Sequence, residues 1–124
     1  MRAFSVGIIG AGQAATELLH QLVDAEFVKI VAIADLKTDT PGILLAKEQG
    51  IPTTTNMHDI LELGESLDIL IDVTGVHAVR EQLRKYMVES DNHHTVIMHE
   101  RIAALMISLA KGKLVEMKAS DDEY

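Results

Sequence analysis

The sequence predicts an α/β protein in which a parallel sheet carries helices on both faces, in three layers. Short apolar runs typical of buried strands alternate with stretches whose apolar residues recur every three or four positions, as on one face of a helix. A glycine-rich turn joins the first apolar run, Phe4 to Ile9, to the first helical stretch. Alternation of this kind favours parallel strands joined by right-handed crossovers.

Length and composition place narrow limits on the class of protein. The 124 residues, 48% of them hydrophobic, predict one domain over residues 1–118 followed by an acidic tail over 119–124. The net charge of −8, with no basic run, excludes binding to a nucleic-acid backbone. Without cysteine the chain has no disulfide and no thiolate metal site. No signal peptide or membrane-length apolar segment is present, so we expect a cytoplasmic protein.

The turn after the first strand follows the pattern Gly-x-Gly-x-x-Ala. Gly10 permits a tight bend, Gly12 lets a pyrophosphate approach the main chain, and Ala15 lets the helix lie close to the strand. Main-chain N–H groups and the helix dipole at such a terminus both favour an anion. The alternative is an ordinary turn that binds no phosphate.

The next helix and strand add an acidic residue at the expected distance. The strand covers Val28 to Ala34, and Asp35 follows it, 23 residues after Gly12. An acidic residue roughly 20 positions after the glycine motif typically binds ribose hydroxyls. A carboxylate there would repel a 2′-phosphate, which favours NAD over NADP, although Lys37 could reach such a phosphate. The alternative role of Asp35 is that of a plain strand-end carboxylate. The helix between these elements has the apolar stripe Ala15, Leu18, Leu19, Leu22 and Val23.

Turn and cap residues divide the middle of the chain. Thr40 and Pro41 predict the N-cap and first residue of a helix, and Gly50 predicts its end. A short third strand is predicted over residues 51–55. The following residues 56–64 predict a capped short helix over 57–63, with Asn56 and Asp59 as the capping pair and Gly64 as its end.

Two further strands and two helices complete the pattern. Strands are predicted over 68–74 and 95–99, and Gly112 predicts the end of the last helix. Residues 113–118 fit either a sixth strand or more helix. The apolar residues of the last helix are predicted either to pack in the core or to form a dimer surface. The predicted stripes are Val76, Val79, Leu83, Tyr86 and Met87 in one helix, and Ile102, Leu105, Met106, Leu109 and Ala110 in the other.

The predicted strand order is 3-2-1-4-5. Strands two and three lie on one side of strand one and strands four and five on the other, so the switch point lies between strands one and four. Ligands bind at such switch points. The order brings residues 10–14, Asp35, Thr74 and Gly75 around one crevice. Asp72, inside an apolar strand, is predicted to have a structural role, accepting hydrogen bonds from loop N–H groups or lying at the end of the sheet.

A resemblance to a known family rests on four segments: Gly-Ala-Gly at 10–12, Val-Ala-Ile-Ala-Asp at 31–35, Gly-Ile-Pro at 50–52 and Asp-Ile-Leu-Ile-Asp-Val-Thr-Gly at 68–75. The sequence resembles the Rossmann, nucleotide-binding half of the glucose–fructose oxidoreductase and inositol dehydrogenase family over residues 3–101. Homoserine and aspartate dehydrogenases have a similar half. The resemblance implies that the chain binds NAD or, with less support, NADP. It places Gly10, Ala11, Gly12, Gln13 and Ala14 at the pyrophosphate, Asp35 on the adenosine ribose, and Thr74 and Gly75 beside the dinucleotide.

Two departures from the family weaken the case for an enzyme. Family members carry Glu-Lys-Pro after the fifth strand, and the lysine works at the substrate, whereas this chain has Glu100, Arg101 and Ile102. Arginine stays charged and cannot act as a tunable acid or base, so we assign no catalytic residue. Family members also continue into a substrate domain, and this chain stops about where that domain would begin.

Three functions therefore stay open. The first is an NAD(H)-binding module with a redox-sensing or regulatory role, which a fainter likeness to modules of bacterial signalling proteins supports. The second is an NAD(P)-dependent oxidoreductase, either half of an enzyme or one completed by a partner chain. The third is a coenzyme A-binding domain, which Asp35 disfavours. Partners other than the dinucleotide would be a second copy of the chain or a signalling or catalytic chain.

The histidines do not predict a metal site. His93 and His94 are adjacent, so their side chains diverge, and no carboxylate lies at a recognised ligand spacing from them or from His99. His77 follows the Thr74–Gly75 turn at a helix start, where it either touches the nicotinamide or is solvated.

Overall fold

The computed structural model describes residues 3–115 of the chain. Five parallel strands form one sheet in the order β3-β2-β1-β4-β5. This Rossmann-like α/β arrangement confirms the predicted fold class and strand order. Residues 113–115 are in no strand, and the remainder of the predicted sixth strand, with the acidic tail, lies outside the described residues.

Strands and helices alternate along the whole described chain. The strands are β1 Phe4–Ile9, β2 Val28–Ala34, β3 Thr53–Thr54, β4 Ile69–Asp72 and β5 Val96–Met98. The helices are α1 Gln13–Leu22, α2 Pro41–Glu48, α3 His58–Leu61, α4 His77–Glu89 and α5 Glu100–Lys111, with a 3₁₀ turn at Gly64–Ser66.

The first two strands match their predicted bounds, and the other three are shorter than predicted. In β3, Ile51 leaves the sheet because its N–H donates to the carbonyl of Ala46 at the end of α2, at 2.8 Å. Before β5, the hydroxyl of Thr95 donates to the carbonyl of Leu67 at 2.6 Å. After β5, His99 caps α5. Ile51, Thr95 and His99 are therefore bonded to a neighbouring loop or helix and do not extend the strands.

The predicted capping pair before α3 is only half right. The side chain of Asn56 accepts a hydrogen bond from the N–H of His58 at 3.0 Å, as a cap does. Asp59 does not reach back to the start of the helix, because its carboxylate binds the hydroxyl of Thr54. Gly64 does not end the helix either, since it begins the 3₁₀ turn with a φ of 60°.

Two apolar cores lie on opposite faces of the sheet. One packs α1, α2 and α5 against Ile8, and the other packs α3 and α4 against Ile9. The second core comes very close to the main chain of β1, because a Cβ built on Gly7 would lie 2.7 Å from Cγ2 of Ile60. A glycine inside a strand marks such a close approach. The apolar stripes predicted for α1 and α4 are buried or half-buried, which confirms them.

The last helix buries a different face from the one predicted. Ala103 and Ile107 are fully buried beside α1, and Met106 packs against the same core. The predicted stripe members Ile102, Leu105 and Leu109 are instead exposed. We call these three residues the α5 row.

Within residues 3–115, no helix has the length and apolar content needed to cross a bilayer, and the cytoplasmic location stays a prediction.

Candidate functional site

Three loops meet at the carboxyl edge of the sheet. In the strand register Ile9 at the end of β1 pairs with Ala34 of β2 on one side and Asp72 of β4 on the other. The N–H of Val73 donates to the carbonyl of Ile9 at 3.0 Å. The glycine loop, residues 10–12, is therefore flanked by Asp35 and by the β4–α4 loop, residues 73–76, as the predicted switch point requires.

Gly10 packs the glycine loop against the β4–α4 loop. Its φ of 101° lies in the region that favours glycine. A Cβ at this position would lie 3.2 Å from the main-chain nitrogen of Thr74 and 3.2 Å from the carbonyl carbon of Val73. The N–H of Gly10 donates to the carbonyl of Ala34 at 2.7 Å. The two loops are thus in direct main-chain contact.

Ala11 is fully buried, and both of its main-chain polar groups have partners within the protein. Its N–H donates to Oδ2 of Asp35 at 2.8 Å, and its carbonyl accepts from the N–H of Gly42 at 2.8 Å. The N–H that the resemblance placed at a pyrophosphate is therefore donated to a carboxylate in this structure. The binding role of Ala11 stays a prediction.

The start of α1 is the open part of the loop. Gly12 is the N-cap and supplies no side-chain cap. The N–H of Thr16 donates to the carbonyl of Gly12 at 3.1 Å, so the N–H groups of Gln13 and Ala14 belong to the helix start that has no intrahelical acceptor. Gly12 and Gln13 are exposed, and a Cβ built on Gly12 meets no atom within 4 Å. The free space therefore lies at residues 12–14.

Asp35 is enclosed at the end of β2, with 3% of its surface exposed. Besides the bond from Ala11, its Oδ1 accepts from the N–H of Lys37 at 2.9 Å. A buried carboxylate normally needs such donors. Each oxygen can accept a further hydrogen bond. The contact between Asp35 and a ribose stays a prediction.

The β4–α4 loop is held by its own side chains. Oδ1 of Asp72 accepts from the N–H of Thr74 at 3.0 Å and from its hydroxyl at 2.7 Å. The same hydroxyl accepts from the N–H of Val76 at 3.0 Å. Gly75 turns the chain with a φ of 69°. The predicted structural role of Asp72 is confirmed, and the hydroxyl of Thr74 serves the loop itself.

Two surface cavities lie beside these loops. One, of about 220 Å³, lies between the β2–α2 connection and β3 and is lined by Lys37, Thr38, Ile43, Lys47, Thr53, Thr54 and Thr55. The other, of about 350 Å³, lies between α1 and α5 and is lined by Gln13, Thr16, Glu17, His20, Gln21, Ala110 and Lys111.

An ion pair closes one side of the α1–α5 cavity. Nζ of Lys111 lies 2.7 Å from Oε1 of Glu17. The hydrogen bond from Lys111 holds the pKa of Glu17 below its usual value, and burial opposes this effect only in part. The second oxygen of Glu17 is enclosed without a hydrogen-bond partner. The pair therefore has a structural role: it joins α5 to α1.

The remaining predicted candidates lie apart from the crevice loops or in solvent. His77 is 70% exposed at its side chain and lies 3.6 Å from Glu81, which fits the solvated alternative. His93 pairs with Asp91, and His94 pairs with Asp68. In the part of the chain that the structure describes, no group of three His, Asp or Glu side chains could hold a metal ion.

The Glu-Arg segment after β5 is tied to α4 through its acidic member. An oxygen of Glu100 lies 3.5 Å from Arg80, and both side chains are largely buried. The N–H of Arg101 donates to Nδ1 of His99 at 2.9 Å, while its side chain is exposed. Among the residues that the structure describes, the side chain of Arg101 has no acid–base partner.

Sequence reasoning missed Gly42. A Cβ built there would lie 2.6 Å from the carbonyl oxygen of Ala11, so only glycine lets α2 contact the glycine loop. The available signal was a glycine directly after Pro41 in the first turn of a helix, where glycine is a poor helix former. Such a residue often marks a close approach of two main chains.

Sequence comparisons identify dehydrogenases. The chain is 28% identical over 82 residues to acetaldehyde dehydrogenase 2 of Salinispora arenicola, covering 65% of this chain and 27% of that protein. It is 29% identical over 79 residues to an acetaldehyde dehydrogenase of Geobacillus stearothermophilus, covering 63% of this chain and 27% of the relative. The chain thus spans about a quarter of the length of these curated relatives. No family model matches it.

Structural comparisons show the fold. GenD2 from gentamicin A biosynthesis, solved with NAD, superimposes with a TM-score of 0.62 and 15% identity, covering 90% of this chain and 32% of that one. Myo-inositol 2-dehydrogenase from Lactobacillus plantarum gives a TM-score of 0.53 and 18% identity, covering 89% and 42%. KijD10 from Actinomadura kijaniata, a 3-ketoreductase solved with NADP, gives 0.58 and 17%, covering 94% and 38%. The predicted resemblance to the inositol dehydrogenase group is confirmed for the fold.

Proposed function

We propose that this chain is the dinucleotide-binding domain of an NAD(P)-dependent oxidoreductase. The observation that carries the proposal is the open start of α1 at the switch point of the sheet, where Gly12 caps the helix without a side chain beside the enclosed carboxylate of Asp35. A pyrophosphate suits such a terminus, because main-chain N–H groups and the helix dipole both favour an anion. The names of the curated relatives support the oxidoreductase class.

The residues present fit a dinucleotide. A Cβ on Gly12 would extend into open space, which is the space that a phosphate would take. We assign the N–H groups of residues 12–14 to the pyrophosphate and the remaining acceptor capacity of Asp35 to the adenosine ribose. Thr74 and Gly75 form the opposite wall, where their main chain would face the dinucleotide.

A bound dinucleotide supplies hydride transfer, and this chain binds and orients it. Within residues 3–115 we assign no acid, base or nucleophile, since Arg101 stays charged and has no described acid–base partner. We therefore propose that the groups that hold a substrate come from another segment of polypeptide or from a partner chain. Hydride transfer needs those groups for orientation and for the exclusion of water.

The redox-sensing module has less support than the oxidoreductase. The curated relatives named above are dehydrogenases, whereas the module rests only on the faint sequence likeness. A coenzyme A-binding domain is the third option, and the enclosed carboxylate of Asp35 at the ribose position disfavours it. A single titration with several nucleotides separates these options.

Within the proposal we favour NAD over NADP. A 2′-phosphate would bring negative charge towards the carboxylate of Asp35, which is already enclosed. The opposing observation is the cavity with Lys37 and Lys47 on its walls, which could neutralise such a phosphate. The neighbours do not decide between the cofactors, because one was solved with NAD and another with NADP. The ratio of the Kd values for NADH and NADPH tests the preference.

The main experiment follows thermal unfolding while NAD⁺, NADH, NADPH or coenzyme A is added. A ligand at 100 times its Kd stabilises the folded state by about 2.7 kcal/mol. We expect this shift with a dinucleotide and its loss in Gly12→Ala, because the added methyl group takes the phosphate space. Gln82→Ala, at an exposed site on α4, is the control. Absence of a shift with every dinucleotide at millimolar concentration would contradict the proposal.

The oxidoreductase class needs a second measurement. Absorbance at 340 nm is followed with aldehydes, polyols and amino acids, first with this chain alone and then with a candidate partner chain. We expect turnover only when the substrate groups are supplied. Dinucleotide binding without turnover under any combination would favour the regulatory module.

Self-association also stays a proposal. The α5 row is an exposed apolar surface that a second copy or a partner chain could cover. Sedimentation of the chain and of Leu105→Glu tests it, and equal monomer mass for both would contradict self-association through this row.

A further inference from the structure

The carboxylate of Asp35 is engaged by main-chain donors on both oxygens. Oδ2 accepts from the N–H of Ala11 at 2.8 Å, and Oδ1 accepts from the N–H of Lys37 at 2.9 Å. With 3% of the residue exposed, these two bonds dominate its surroundings. Asp35 therefore joins the end of β2 to a loop that lies 24 residues earlier in the chain.

The neighbouring peptide group is fixed from another direction. The carbonyl of Ala11 accepts from the N–H of Gly42 at 2.8 Å, and a Cβ on Gly42 would lie 2.6 Å from that carbonyl oxygen. A trans peptide group is planar, so its N–H points opposite to its C=O. The bond from Gly42 thus sets the direction of the N–H of Gly12, while Asp35 sets the peptide group before it.

We infer that Asp35 is a positioning residue for the phosphate-binding N–H groups of the glycine loop. The inference rests on the proposed function and deepens it. Asp35 and Gly42 fix two consecutive peptide groups, 10–11 and 11–12. The second of these carries the N–H of Gly12, and the open N–H groups of residues 13 and 14 follow it. Asp35 therefore contributes to dinucleotide affinity through the phosphates as well as through any bond to a ribose hydroxyl.

The experiment compares ADP with 2′,3′-dideoxy-ADP, which share the pyrophosphate and differ in the two ribose hydroxyls. Asp35→Ala removes both acceptor oxygens, so both main-chain bonds are lost. We expect the affinity for 2′,3′-dideoxy-ADP to fall by about tenfold or more, as for a hydrogen bond to a charged acceptor, and the affinity for ADP to fall by at least the same factor. Asp39→Ala removes the same charge from an exposed site in the same connection and should leave both affinities unchanged.

Gly42→Ala is the independent variant, because it disturbs the carbonyl of Ala11 without touching the carboxylate. It should weaken ADP and 2′,3′-dideoxy-ADP by equal factors. Amide hydrogen exchange of the ligand-free protein gives a direct measure: the N–H of Ala11 should exchange faster in Asp35→Ala and at the normal rate in Asp39→Ala. This readout also applies if Gly42→Ala fails to fold.

Two results would overturn the inference. One is a loss confined to ADP in Asp35→Ala, with 2′,3′-dideoxy-ADP unaffected, which would make Asp35 a ribose ligand alone. The other is unchanged exchange of the N–H of Ala11 in Asp35→Ala. If the unaltered chain binds neither nucleotide, the proposed function fails and the role in phosphate binding fails with it, while the exchange rate still reports whether Asp35 holds the loop.

Discussion

The two loops that line the crevice are each bonded to a buried aspartate at the carboxyl edge of the sheet, yet they are held in different ways. Asp35 and Asp72 are each 3% exposed. Asp35 reaches across to Ala11 in a loop that follows another strand, whereas Asp72 bonds to Thr74, two residues further along its own loop. The glycine loop is therefore held by its neighbours, and the β4–α4 loop holds itself.

The difference shows that the same residue type at the same edge of a sheet can have long-range or local effects. A locally held loop keeps its shape when neighbouring elements move. A loop held from outside changes whenever its supports change, which makes the position of its N–H groups sensitive to β2 and α2. Substitutions in each loop therefore test this contrast.

The largest effect is expected from Gly10→Ala, since Gly10 is where the two loops touch. The variant combines a φ of 101° with contacts of 3.2 Å to the main chain of Val73 and Thr74. Backbone strain and crowding together should lower the free energy of unfolding by about 3 kcal/mol, as measured by urea denaturation.

Gly12→Ala is the matched control for this prediction. Its φ of −81° is ordinary and the space beside it is open, so the loss should be about 1 kcal/mol or less, as for a change of N-cap residue. Equal losses in Gly10→Ala and Gly12→Ala would contradict the described contact between the two loops.

The next effect separates the two aspartates. Asp35→Ala leaves the buried N–H of Ala11 without an acceptor and should lower the free energy of unfolding by about 2 kcal/mol. Amide chemical shifts should change in the glycine loop and at the start of α2. Asp72→Ala should cause a similar loss of stability, with shift changes confined to residues 73–77. Equally wide changes in both variants would remove the distinction between the loops.

These contacts mark the limit of what the sequence could predict. The bonds of Asp72 join residues two positions apart, so a structural role was visible in the sequence. The bond that Asp35 accepts from the N–H of Ala11 and the bond that Gly42 donates to the carbonyl of Ala11 depend on how β1, β2 and α2 assemble, which no local pattern specifies. The order of the strands was predictable because their apolar runs and crossovers leave few arrangements.

The orientation of α5 was not predictable for a related reason. The helix has apolar residues on two sides, with Ala103 and Ile107 on one and the α5 row on the other. The spacing of the apolar residues predicts a helix. Here the residues on both sides fit that spacing, so it does not indicate which side is buried. On the side that packs on α1, the small side chain of Ala103 is fully buried.

Thr74→Val should have a smaller effect within the β4–α4 loop. It removes the hydroxyl that donates to Asp72 and accepts from the N–H of Val76, and the expected loss is about 1 kcal/mol in the free energy of unfolding. Thr74→Ser keeps the hydroxyl and should stay closer to the unaltered chain. If Thr74→Ser is as unstable as Thr74→Val, the hydroxyl does not hold the loop.

The smallest effect lies outside both loops, at the ion pair between α1 and α5. The pKa of Glu17 is lowered by Lys111, so the pair stabilises the fold above the ordinary pKa of the carboxyl group, and this contribution is lost as the pH falls through the lowered value. In Lys111→Met the pKa of Glu17 should rise, as followed by NMR titration. The acid side of the stability profile should become flatter, and an unchanged titration would argue against the pair.

The α5 row has a practical consequence for work with this domain. Leu109 is 74% exposed, and α5 packs through its opposite side, so a charged replacement there disturbs neither core. Leu109→Lys should therefore give a preparation that tolerates the high concentrations needed for NMR, with the crevice unaltered. In concentrated samples of the unaltered chain, the exposed apolar side chains of neighbouring molecules would instead come into contact.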